Sequence, residues 1–200
     1  KVILGKSSNT VDQFFKKSKT LGYRSRSAFK LIELNKKFKF LKFDTKLLDI
    51  GASPGGWSQV ASKKITSGNI LSIDLKKMDE IKKVSFLQCD FKKDMSKIKI
   101  IEYFKEKIDV ILSDMAADTT GNKTLDCIRT NQLCAEVIGF SLKILKKNGV
   151  LVSKLFMGED FIEIKDIAKS RFKNVNFYKP EASRNESKET YIHCSTLKTL

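Results

Sequence analysis

The run LLDIGASPGGWSQ, residues 47–59, joins an apolar strand candidate to a glycine-rich loop and then to a helix candidate. Gly51, Gly55 and Gly56 allow the backbone to approach a ligand closely, and the first turn of the following helix offers free N–H groups. Asp74 closes the next apolar run, 23 residues beyond Gly51. Nucleotide-binding sheets place a carboxylate on ribose hydroxyls at that position. The loop is not a dinucleotide fingerprint, because Ala52-Ser53 breaks the GxGxxG spacing and Pro54 stiffens the turn. A pyrophosphate is therefore poorly served, and a cofactor with an adenosine and an amino-acid tail is served better. The same residues also fit a plain strand-to-helix turn with Trp57 in the core.

Two further residues stand where their charge is costly. IDVILSD ends on Asp114, and Lys154 interrupts the otherwise apolar VLVSKLF. Asp and Lys are almost never fully buried unless paired, so each of these calls for a partner. An edge strand whose lysine points to solvent would produce the same pattern at Lys154. Lys30, in the amphipathic run SAFKLIEL, and Glu189, in the charged stretch RNESKE, say little by themselves.

These residues need a scaffold, and the hydrophobic pattern supplies one. SRSAFKLIELNKKFKF has apolar positions Ala28, Leu31, Ile32 and Leu34 or Phe38 at helical spacing, with Ser25 or Ser27 placed to cap its start. Short apolar runs follow at 47–50, 70–74, 84–89, 108–114, 149–156, 175–178 and 190–195, separated by amphipathic stretches. The clearest of these is residues 128–147, which reaches Asn148-Gly149, a helix C-terminus signal. Continuous apolar strands alternating with helices predict an α/β, Rossmann-like fold: a mostly parallel seven-stranded sheet with helices on both faces. No helix separates the last two strand candidates, so one strand should run antiparallel. Residues 1–24 read as a polar, basic, loosely packed N-terminal extension, and residues 25–200 as a single domain.

Composition narrows the partners. Lys and Arg number 39 against 23 Asp and Glu, a net charge of +16 at pH 7. That excess favours polyanions, because each neutralised phosphate releases condensed counterions. Cys89, Cys127, Cys134 and Cys194 show no CxxC pairing, and His193 beside Cys194 would point to the opposite face of a strand. No metal site is expected, and the cysteines read as reduced residues of an intracellular protein. No apolar run reaches the roughly 20 residues of a membrane span. The sequence begins at Lys1 and not at Met. It reads as a fragment or processed form, which leaves cytoplasm, nucleus and mitochondrion open.

Taken in order, RSRSAFKL, LLDIGASPGGWSQ, IDLKKM, FLQCDF, ILSDMA, VSKLFMGE and SRNESKETYI resemble the FtsJ-type ribose 2′-O-methyltransferases, from about Gly22 to Ser195. The resemblance implies a Rossmann-like S-adenosylmethionine-dependent methyltransferase that acts on RNA, with ribosomal RNA of the large subunit as the substrate. It also implies a catalytic tetrad of Lys30, Asp114, Lys154 and Glu189. Lys154 would be the general base and Lys30 a neighbouring cation that orients the ribose. Burial and the proximity of Lys30 would depress the pKa of Lys154. Asp114 and Glu189 would hold the two ammonium groups, with Asp114 also facing the cofactor. Around S-adenosylmethionine the resemblance places Gly51, Ser53, Pro54, Gly55, Gly56 and Trp57, with Asp74 on the ribose and Asp90 on the adenine amino group. For Asp90 a turn or helix cap is the other reading.

RNA contacts are expected from Lys16, Lys17, Lys19, Arg24, Arg26, Lys36, Lys37 and Lys39, with Lys179 and Arg184 across the cleft. The chain is expected to act as a monomer with no membrane partner. After SDMA it reads ADTTGNKTLD where many relatives carry Pro-Asn, a departure that borders the substrate cleft. The alternatives are a transfer RNA anticodon loop or an mRNA cap ribose as substrate, a catalytically silent RNA-binding module, or a nucleotide-dependent oxidoreductase. The intact tetrad argues against the silent module and the failed GxGxxG against the oxidoreductase.

Overall fold

The structure, a computed structural model, describes residues 7–199. Seven strands form one sheet in the order β3-β2-β1-β4-β5-β7-β6. They are β1 (Lys46–Ile50), β2 (Asn69–Asp74), β3 (Val84–Gln88), β4 (Ile108–Ser113), β5 (Leu145–Phe156), β6 (Phe172–Tyr178) and β7 (Glu189–Leu197). β1 pairs in parallel with β2 and β4, as do β2 with β3 and β4 with β5. β7 is the one antiparallel strand and lies between β5 and β6. Among the described residues six helices accompany the sheet: α1 (Ser7–Thr20), α2 (Ser27–Phe38), α3 (Gly56–Lys64), α4 (Asp94–Phe104), α5 (Lys123–Ile144) and α6 (Phe161–Arg171).

Alternation along the strands divides the interior in two. Leu47, Val110 and Leu112 pack against Leu31, Leu34, Trp57 and Val60 of α2 and α3. Their neighbours Leu48 and Ile111 point the other way, to Ile100, Val137, Ile138 and Ile164 of α4, α5 and α6. Successive strand side chains face opposite sides, so a central strand covered on both must be apolar throughout. Cys134 and Cys194 are buried in the second of these layers, and all four cysteines are unpaired. Among the described residues, no helix is long and apolar enough to cross a membrane.

Three local expectations are corrected. The basic N-terminal stretch is not loose where it is described: it forms α1, and the Phe14 ring packs 5.4 Å from Phe29 of α2; residues 1–6 lie outside the described residues. Neither Ser25 nor Ser27 caps α2; the N-cap is Arg26 without a side-chain bond, and the two hydroxyls bond each other at 2.6 Å. Helix α5 begins and ends earlier than its apolar pattern suggested. The Asn122 side chain accepts from the N–H groups of Thr124 and Leu125, and the helix stops at Ile144. Asn148-Gly149 therefore falls inside β5, where a bulge interrupts the pairing between Ile108 and Val110 of β4. The bulge absorbs the residues that the Asn-Gly signal would have placed in a helix end.

Candidate active site

The strand order reverses between β1 and β4, and ligands of open α/β sheets bind outside the strand ends at such a switch point. A cleft of about 470 Å³ opens there, lined by Gly51, Ser53, Asp74, Cys89, Asp90, Asp114, Met115 and Arg129 among others. That size falls within the range of small-molecule sites. Gly51 has φ +76°, and a Cβ at that position would lie 2.7 Å from Cγ of Met115. Only glycine lets the loop pass so close to the end of β4. Gly56 has a different constraint: an added Cβ would meet Ser25 Oγ at 2.3 Å, so the starts of α2 and α3 are pressed together.

Asp74 closes β2 and braces the loop. Its carboxylate accepts from the Ser53 N–H at 2.9 Å and from the Lys76 N–H at 2.7 Å. Asp90 also lines the cleft, and its Oδ1 accepts from the Lys92 N–H at 3.0 Å, the turn that its sequence position left open. Pro54, Gly55, Gly56 and Trp57 lie outside the cleft lining. Trp57 is 2% exposed and packs on Tyr191, and its indole N–H donates to the Ser27 carbonyl. It ties α3 to α2, which gives it a packing role.

Asp114, just past β4, connects the cleft to a buried charge cluster. Lys154 of β5 lies 2.9 Å from Asp114 Oδ1, and its ammonium also donates to the Asp114 carbonyl at 3.0 Å. Lys154 is 3.8 Å from Glu189 Oε2, while Lys30 of α2 reaches Glu189 Oε1 at 2.6 Å. The four residues named from the sequence thus form one chain: Lys30, Glu189, Lys154, Asp114. Because β5 is flanked by β4 and β7, the solvent-facing edge-strand reading of Lys154 does not apply. Lys30, Lys154 and Glu189 are each no more than 9% exposed.

Two partners were not foreseen. Tyr191 donates to Asp114 Oδ1 at 2.6 Å, and Ser183 donates to Glu189 Oε1 at 2.7 Å. Tyr191 had a legible signal, since residues two apart on a strand share a face and Glu189 was already placed. Ser183 had none, because its approach depends on the fold of the loop between β6 and β7.

The electrostatics reverse one expectation. Burial alone would lower the pKa of Lys154, but the charges of Asp114 and Glu189 outweigh it and hold the ammonium above the ordinary lysine range. Lys30 is 2.6 Å from Glu189, so the cation expected to repel Lys154 is matched by a carboxylate. Burial likewise works against the charge on Asp114, yet Lys154, Lys30 and the Tyr191 hydroxyl keep its carboxyl below the usual range. Tyr191 itself is pushed well up by burial and by both carboxylates.

The basic residues divide by what they already hold. Arg24 donates to the carbonyls of Pro54, Asp79 and Glu80, stapling the glycine loop to the segment after β2. Lys179 donates to the carbonyls of Asn185 and Ser187. Lys17 lies over the Phe29 ring and Lys37 over Tyr178. Lys36, Lys39 and Arg184 are exposed. Among the described residues, no group of three or more His, Cys, Asp or Glu could hold a metal ion.

A sheet of this order, with a carboxylate-lined cleft at its switch point beside a buried Lys–Asp–Lys–Glu chain, defines a Rossmann-like methyltransferase. The profile of the FtsJ-like methyltransferases matches residues 23–197, and the chain belongs to that family. It is 46% identical over 187 residues to the ribosomal RNA large subunit methyltransferase E of Pelagibacter ubique, covering 94% of this chain and 92% of that protein. It is 44% identical to the protein of the same name from Wolbachia pipientis, covering 90% and 93%. Among solved structures, a putative ribosomal RNA methyltransferase from Plasmodium falciparum superposes with a TM-score of 0.79 at 34% identity. That match covers 88% of this chain and 98% of the other.

Proposed function

We propose that this chain transfers the methyl group of S-adenosylmethionine to a ribose 2′-hydroxyl of large-subunit ribosomal RNA. The observation that carries the reading is the buried Lys30–Glu189–Lys154–Asp114 chain, whose last member also lines the switch-point cleft. The cofactor supplies an already activated methyl group. The Gly51 loop, Asp74 and Asp90 form the walls that would hold it, with a carboxylate beyond each of two adjacent strands for its hydroxyl and amino donors.

The protein must then align a hydroxyl and remove its proton. Lys154 is the residue for that step, through its neutral amine. Asp114 and Glu189 keep it as ammonium near neutrality, so the reactive form is the minority form and its share grows with pH. Lys30, fixed by Glu189, is placed to orient the ribose. Ser183 and Tyr191 lock the two carboxylates so that neither can turn away from its lysine. Phosphate contacts of the exposed lysines, such as Lys36 and Lys39, would supply affinity without sequence information.

Large subunits from cells without their own large-subunit 2′-O-methyltransferase, incubated with this protein and methyl-labelled cofactor, test the assignment. One ribose 2′-oxygen should gain the label with wild-type protein, and none with Lys154→Ala. Label on a base, or on no RNA at all, contradicts it.

A further inference from the structure

A second recess opens at the same end of the sheet as the charge cluster, between the turn after β5 and the loop that joins β6 to β7. It holds about 420 Å³ and is lined by Met157, Phe161, Phe177 and Thr190 among others, with Glu189 shared between it and the cluster. Phe161 and Phe177 are both half-buried, and their ring centroids lie 4.8 Å apart with the planes at 50°. Met157 is 49% exposed, and Ile162, next to Phe161 on α6, is 61% exposed. Large apolar side chains left to water at one spot, around an aromatic hollow, mark a binding place.

The walls of this recess are held in place. Asn131 of α5 is fully buried; its amide donates to the Phe156 carbonyl at 3.0 Å and to Asp160 Oδ1 at 2.7 Å, and accepts from the Phe156 N–H at 2.8 Å. These bonds pin the turn that carries Met157 and Phe161. The Met157 N–H donates to the Lys188 carbonyl at 2.9 Å, which joins that turn to the opposite wall. Polar groups around the recess are already engaged: the Thr190 hydroxyl donates to the Tyr178 carbonyl, and the Lys179 ammonium to the carbonyls of Asn185 and Ser187. What these bonds leave open is an aromatic and thioether surface. Single-stranded RNA is held on such surfaces by stacking, which any base can do because every base has a π-face. Position along the strands decides which base. Met157 lies three residues past Lys154, about 10 Å along an extended chain. Ile192 and Phe177 face the layer of α4, α5 and α6, whereas Tyr191 faces α2 and α3. A nucleotide whose ribose rests at Lys154 therefore leaves the recess to its neighbour.

We infer that the recess walled by Phe161, Phe177 and Met157 receives, by stacking, the unpaired base of the nucleotide directly adjoining the acceptor. The inference rests on the proposed ribose methylation and adds a point of registration to it. The tetrad takes the 2′-oxygen, and the recess fixes the next base so that only one ribose can lie at Lys154. Phe161, Phe177 and Met157 are positioning residues. They hold a base by its face and not by its edge, so they require an unstacked base there without specifying which one.

The test uses acceptor RNA, free or within the assembled subunit, in which one nucleotide at a time around the methylated position is made abasic. This removes a base and leaves every ribose and phosphate in place. With wild-type protein, loss of one base adjoining the acceptor should lower kcat/KM about 5- to 100-fold, the range expected for one stacked base. Exchanging that base for any other should change it only a few-fold. Phe161→Leu, which keeps apolar volume but loses the ring, should already be reduced by a similar factor on unmodified RNA, and the adjoining abasic site should add almost nothing further. Met157→Asp, at an exposed position where folding is not at stake, should behave in the same way. Cofactor affinity, measured by calorimetry, should be unchanged in both variants. If no adjoining abasic site lowers wild-type transfer, or if one costs the variants as much as it costs the wild type, the recess does not hold that base. If wild-type protein transfers no methyl group to unmodified RNA, the ribose-methylation reading falls first and the base assignment with it.

Discussion

Replacing Lys154 by arginine separates proton removal from charge. The lysine is about 9% exposed, 2.9 Å from one Asp114 oxygen and 3.8 Å from one of Glu189. A neutral replacement would leave both carboxylates buried without their cation, a change that costs about 3–5 kcal/mol and risks the fold. Arginine keeps the positive charge and can still pair with both, but it does not surrender a proton. If Lys154 accepts the hydroxyl proton, Lys154→Arg should lose about 10²- to 10⁴-fold in the methyl-transfer step, equivalent to roughly 3–5 kcal/mol in the barrier. The wild-type rate should also rise about tenfold per pH unit across neutrality, because deprotonation creates the active form and the ammonium is held above its ordinary range. The assay is single-turnover transfer at saturating cofactor across that pH range, with unfolding followed separately. A Lys154→Arg protein within a few-fold of wild type, or a wild-type rate flat in pH, would refute the base role and leave the cluster to act by position alone.

Asp114→Asn removes the carboxylate that contributes most to holding Lys154 charged, so the alkaline rise in rate should move to lower pH even if the maximum falls; an unmoved profile would show that the titrating group is not Lys154. Asp74→Ala should weaken S-adenosylmethionine binding about 10- to 100-fold by calorimetry, since the loop loses its brace at Ser53 and Lys76 along with the cleft carboxylate. Unchanged affinity would place the cofactor elsewhere. Asp49, fully buried, has an Oδ1 without a partner and is raised from the ordinary 3.8 to about 7, mainly by burial. Its contribution to stability is therefore lost as pH rises from about 4 to about 7, and Asp49→Asn should melt progressively above wild type across that window. A constant gap in Tm at all pH values would show that Asp49 does not titrate there.

Much of the sheet was legible because its central strands are buried on both faces and read as apolar runs; β1, β2 and β4 fall within a residue of their sequence limits. The end of α5 was not, because an Asn-Gly pair that usually closes a helix is here taken up by a strand bulge. Lys154 and Asp114 announced themselves by interrupting such runs. Lys30 and Glu189 looked like ordinary surface charges, and only the order of motifs along the chain singled them out. The sign of the Lys154 shift could not be read from either source. It depends on two carboxylates within 4 Å outweighing burial, a matter of distances that a linear pattern does not contain. Trp57 was legible in one of its two readings: the resemblance placed it at the cofactor, while the plain strand-to-helix turn put it in the core, where its side chain lies between α2 and α3.

The central claim is that a ribose 2′-oxygen accepts the methyl group under the Lys154 cluster. The most direct measurement is transfer to two acceptor RNAs that differ only in one atom, the 2′-oxygen of the mapped nucleotide, present in one and replaced by hydrogen in the other. Wild-type protein should methylate the first and leave the second unlabelled while still binding it with similar affinity. Equal labelling of the 2′-deoxy RNA would contradict the account.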